Sequence, residues 1–181
     1  MRPPRPAMSN AVPPPVLKEE SPPPSVRRSG GLWLLAVGVG VVALVLAFLD
    51  REALLDTLAE TAATIDSGAD AARLDQVALI ALWGTTGVFA LVLLIEALLV
   101  RPLLRGRGWA RWALLAMVVA DAGAVLLVLA FLGDGSAGFQ PAPHLAVVHL
   151  VLAVVALVLS LFPSASRWFK EHGRQARAVT K

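Results

Sequence analysis

Residues 112–132 read WALLAMVVADAGAVLLVLAFL, an apolar run with a single carboxyl, Asp121, near its middle. It matches the roughly 20 residues that a helix needs to cross about 30 Å of hydrocarbon. Three more runs of the same kind extend from Gly31 to Leu49, Val77 to Val100 and Leu145 to Phe162. With 57% hydrophobic residues in 181 and a mean hydropathy of +0.71, an ordinary soluble domain is excluded. The expected fold is an all-α, up-down-up-down four-helix transmembrane bundle with crossings near 20°.

Charge between the runs sets the expected orientation. Arg2, Arg5, Lys18, Arg27 and Arg28 precede the first run; Arg101, Arg105, Arg107 and Arg111 separate the second from the third; Arg167, Lys170, Arg174, Arg177 and Lys181 follow the fourth. The first connection instead carries Asp50, Glu52, Asp56, Glu60, Asp66, Asp70 and Asp75. Lys and Arg excess stays in the cytoplasm, so the chain is expected N-in and C-in in the cell membrane, with anionic lipid at the cytoplasmic face as a partner. The same reasoning removes nucleic acid as an explanation of the net charge of +3. The first run lacks a small-x-small cleavage site before Asp50 and reads as an uncleaved signal anchor.

The connections have their own signatures. Residues 1–30 hold the proline clusters Pro3-Pro4, Pro13-Pro14-Pro15 and Pro22-Pro23-Pro24, which predicts a disordered tail of polyproline II character, either a spacer or a docking segment. An amphipathic extracytoplasmic helix is expected over about 50–66, with Leu55, Leu58, Ala62 and Ile65 on its apolar face and Asp56, Glu60 and Thr64 on another. Ser67-Gly68 should break it and Asp70 should cap the next helix. Arg101-Pro102 is expected to end the second span, Gly106-Arg107-Gly108 to form a basic turn, and 133–144 to form an irregular loop. Trp33, Trp109, Trp112 and Trp168 are placed as interfacial anchors. Residues 164–181 read as a basic cytoplasmic tail.

The polar residues inside the spans are the site candidates. Asp121 lies about 15 Å from either interface, where a charged carboxylate is costly, so it should face the bundle, water or another subunit. It is either a proton-relay or cation-coordinating group, or a neutral carboxyl that fixes helix register. His149 shares a seam with Ala146, Ala153, Ala156 and Ser160 and differs from Asp121 in depth by about one turn, so a contact between them is allowed. Glu96 is expected to snorkel or pair with a basic residue of the adjoining turn, with Thr85 on the same face. Small-residue seams, Ala36, Gly40, Ala43 and Ala47 in the first span, Gly84 and Gly87 in the second, and Ala113, Ala116, Ala120 and Ala124 in the third, allow close helix contacts or a homo-oligomer.

Chemistry beyond this is sparse. Without cysteine there is no disulfide, thiolate metal site or redox pair; His144 and His149 stand about 140° apart on one helix and His172 lies in the tail, which argues against a bis-histidine haem within the chain. Hydrolase, zincin and phosphate-loop motifs are absent, so no catalytic residue, metal ligand or cofactor is assigned and the protein is not expected to be an enzyme. The proline-rich tail, the acidic helical connection, the basic turn from Arg105 to Trp112 and the exit Pro163-Ser164-Ala165-Ser166-Arg167-Trp168-Phe169 resemble a set of uncharacterised four-span actinobacterial integral membrane proteins over residues 31–170. That resemblance implies membrane location and topology and brings no site residue. The expected role is a non-enzymatic accessory or interaction subunit with a homo-oligomeric or membrane-protein partner. The alternative is a small oligomeric proton-coupled transporter or channel using Asp121 and His149.

Overall fold

The computed structural model describes residues 22–132 and 140–170. Five helices follow one another: α1 (Pro24–Leu49), α2 (Arg51–Ile65), α3 (Ala71–Leu104), α4 (Trp109–Leu132) and α5 (Pro141–Leu161), and the described residues contain no strand. All but α2 are long and apolar enough to cross a membrane. α1 packs on α5 and α3, and α4 closes the ring between α3 and α5, so the four long helices form the bundle while α2 lies along α3. Both the buried and the outward faces are apolar, which suits hydrocarbon: lipid tails offer no hydrophobic drive, and small residues that let backbones approach become the cement. The seam of Ala36, Gly40, Ala43 and Ala47 is buried in this way, opposite Ala146, His149, Ala153 and Ala156 of α5.

The interior divides along the bundle axis into two apolar clusters. One, at the end that carries α2, includes Ala43, Ala47, Leu58, Leu82, Phe89, Val128, Leu132 and Ala146. The other, at the opposite, basic end, includes Trp33, Ala36, Val100, Leu103, Leu114, Ala153, Ala156 and Trp168. Glu96, Asp121 and His149 are buried and belong to neither.

The connections match expectation in part. α2 ends before Ser67-Gly68, and the Asp70 carboxylate accepts a hydrogen bond from the Arg73 backbone N–H at 2.8 Å, capping α3. On α2 the buried residues are Leu54 and Leu58, with Leu55 and Ala59 beside them, while Ile65 is 83% exposed. The packed stripe is thus turned from the expected one, because Leu54 and Leu58 sit four apart and meet α3 together. Gly106 takes the left-handed conformation (φ 74°) that only glycine adopts freely, and the Arg107 N–H closes back on Pro102 O at 3.1 Å.

Several boundaries move. α1 begins at Pro24, not near Gly31, since proline at a first helical position loses no bond it could have made; the rest of the proline-rich tail, residues 1–21, lies outside the described residues. By the same rule Pro141 and Pro143 open α5, so the expected loop stops before Pro141. Residues 163–170 are helical and fold onto the basic end, burying Ala165, Trp168 and Phe169; the remainder of that tail lies outside the described residues. Trp109 and Trp112 point outward at 52% and 63% exposure, whereas Trp33 and Trp168, expected at an interface, are buried in the bundle end. The early start of α1 puts Trp33 about two and a half turns inside the helix. On α4, Ala116 and Ala120 face outward, and the packed face runs through Leu114, Asp121, Val125 and Val128. Gly84 and Gly87 also face outward.

Candidate functional site

α3 passes through Pro102 and ends at Leu104 rather than at Arg101. Pro102 sacrifices one backbone bond in the last turns, where Gly106 then provides the stop. The extension leaves Glu96 more than two turns inside the helix, on the face shared with Phe89, Val92, Val100 and Leu103. Instead of snorkelling to a basic residue, Glu96 is fully buried.

Three ionisable side chains from three helices meet there. His149 Nε2 of α5 lies 3.2 Å from Asp121 Oδ2 of α4 and 3.3 Å from Glu96 Oε2 of α3, and all three residues have zero solvent exposure. The Asp121 and His149 contact that spacing allowed is thus made, and Glu96 joins it. Thr85 is buried on the same face of α3 but stands about 16 Å from Glu96 along the axis, outside the cluster.

The fourth long helix orients the imidazole. His149 Nδ1 is 2.8 Å from the Ala36 carbonyl of α1. A carbonyl only accepts, so Nδ1 carries a hydrogen and donates it. The Phe89 ring meets the imidazole edge-on, with centroids 5.6 Å apart and planes at 85°, which fixes the ring from a second side. Close approach of α1 depends on Gly40: a methyl group there would lie 2.5 Å from Leu93 Cδ2 and 3.3 Å from His149 Nδ1.

That tautomer has an electrostatic consequence. With the Nδ1 hydrogen committed to Ala36, a neutral imidazole presents the Nε2 lone pair to two carboxyl groups, and an acceptor facing acceptors repels. Neither Nε2 contact is aligned as a hydrogen bond, and the four carboxyl oxygens of Glu96 and Asp121 likewise have no hydrogen-bond partner. Burying such groups without compensation costs several kcal/mol each on the order of an unpaired ion. The arrangement closes electrostatically when positive charge, supplied by protons or by a metal cation, occupies the space between them.

Access is asymmetric. At the α2 end a cleft of about 240 Å³ is lined by Ala47, Asp50, Ala53, Leu54, Leu132, Gln140, Ala142 and Pro143. Its Ala47 wall stands two turns, roughly 10 Å, above Gly40 at the His149 level, and Ala43, Phe89, Val128 and Ala146 fill the interval. On the other side Trp33, Leu103, Leu114 and Leu157 close the bundle. No protein-family model matches the chain, and comparisons with curated proteins and with solved structures also find no match.

Proposed function

We propose that this is a small multi-pass transporter of the plasma membrane in which Glu96, Asp121 and His149 together bind the transported or coupling cation, a proton being the simplest. One observation carries the reading: three charges-in-waiting from three spans are fully buried at one depth and leave five polar atoms without hydrogen bonds. A register-fixing contact between helices requires one polar pair worth about 1 kcal/mol, and this cluster exceeds it at greater cost. Because the site is covered at both ends, a cation is held rather than conducted, and passage requires the bundle to open. The thinner cover, of alanines with Phe89 and Val128, is on the cleft side. The N-in, C-in orientation belongs to the same reading. It is supported by the exposed Arg27, Arg28, Arg101, Arg105, Arg107 and Arg167 gathered at one end, suited to anionic lipid, and by acids at the other.

The test is cation flux in proteoliposomes holding a pH-sensitive dye and, in parallel, a dye that responds to divalent transition-metal ions, with an imposed membrane potential. Uptake by the wild type and its loss in Asp121→Asn are expected; no uptake beyond that of empty liposomes would overturn the reading. A second reading, an accessory subunit that docks through its helices, is favoured by Gly84 and Gly87, which stand on the outward side of α3 with nothing within 4 Å of where a side chain would begin. Its mark would be a partner or a second copy recovered with the wild type and lost with bulky substitutions at those two glycines.

A further inference from the structure

We infer that the Glu96, Asp121 and His149 cluster is a binding site for a divalent first-row transition-metal ion. The inference rests on the reading of the cluster as a cation site and names the cation. Charge is compatible with a divalent ion: two carboxylates and a neutral imidazole sum to −2, which one divalent cation balances in a single step and which protons balance only as two. A single monovalent ion leaves the site charged.

Geometry agrees with direct coordination. Ligand atoms about 2.1 Å from a common ion lie roughly 3.0 Å apart at right angles and 3.4 Å apart at the tetrahedral angle. The Nε2 to oxygen separations of 3.2 and 3.3 Å fall between those limits, and one ligand atom from each residue lies within 4.8 Å of the other two. One nitrogen and one oxygen from each carboxyl group converge, three protein ligands, and these atoms and the second oxygen of each carboxyl group are buried without hydrogen-bond partners. The bond from His149 Nδ1–H to the Ala36 carbonyl is the outer contact that holds a ligating imidazole in the tautomer exposing Nε2.

Donor type decides the class of ion. Calcium takes six to eight oxygens and magnesium keeps several waters, whereas an imidazole nitrogen with two carboxylates suits zinc, iron, cobalt or manganese. Among the described residues no further His, Cys, Asp or Glu side chain joins the group, and apolar clusters lie above and below it.

The experiment is a titration of the full-length protein in detergent with Co²⁺, followed by its ligand-field absorption, then displacement by Zn²⁺. One Co²⁺ per chain is expected, with binding about 100-fold or more weaker in His149→Gln and Asp121→Asn, since loss of even an outer contact to a ligand costs 10- to 100-fold. Binding that is absent, or unchanged in His149→Gln, would overturn the inference. If those variants do not fold, the wild type decides alone: Zn²⁺ must raise the unfolding temperature and Mg²⁺ at equal concentration must not, and equal effects of the two ions count against the site. Metal binding without flux in proteoliposomes would sink the transporter reading and leave the metal site standing; proton flux without metal binding would do the reverse.

Discussion

His144 and His149 occupy one helix, five residues apart, and live in different chemistry. His144 is exposed in the first turn of α5, where its Nδ1 meets the Gln140 carbonyl of its own chain neighbourhood at 2.7 Å. His149, a turn and a half deeper, touches α1, α3 and α4 at once. The first stands at the rim of the bundle; the second is the place where all four long helices are joined. A histidine at an exposed helix end can meet solvent, and one at mid-span has to be matched by its surroundings or by a bound cation.

Substitutions should separate the two by size. His149→Ala leaves two buried carboxyl groups facing a cavity and should cost about 3 to 5 kcal/mol in detergent unfolding, the usual cost of breaking a buried charged cluster from one side. A cost near that of an ordinary surface change would mean that the three groups do not depend on one another. Next comes Gly40→Ala, expected to cost about 1 to 3 kcal/mol by driving a methyl group into Leu93 and against the imidazole. Gly38→Ala serves as its control, because that position on the same helix has nothing within 4 Å and alanine is the better helix former. If the two glycine variants unfold alike, α1 does not hold His149 as described. The smallest effect belongs to His144→Ala, roughly half a kcal/mol or less, with cation flux and Co²⁺ binding unchanged; loss of either function would move the site to the end of α5.

What the sequence discloses follows the same division between ends and middle. Span positions, the Asp70 cap and the Gly106 turn were legible because hydropathy, a side-chain cap and a left-handed glycine are local signals. Asp121 and His149 were legible as a pair because each is an ionisable residue isolated in an apolar run at nearly matching depth. Glu96 was assigned to the interface because Pro102 suggests a helix end. The proline is tolerated in the last turns, and the true depth of Glu96 emerges only when α3 is followed to Leu104. Gly40 illustrates the other gap: its seam was visible in the spacing, but that the missing side chain makes room for His149 depends on how α1 and α5 cross. Rotation of α4 was likewise hidden, since in an all-apolar run Ala116 and Ala120 look no different from Val125 and Val128, and only Asp121 marks the inward face.

The decisive measurement is unfolding of two variants side by side, His149→Leu and the triple replacement Glu96→Leu, Asp121→Leu, His149→Leu. If the three side chains form one interdependent buried unit, the single change is strongly destabilising and the triple change recovers most of the loss, because an apolar filling replaces the whole cluster instead of stranding two carboxyl groups. A triple variant that costs the sum of three independent losses would show that the residues do not act together, and the shared cation site would fall with them.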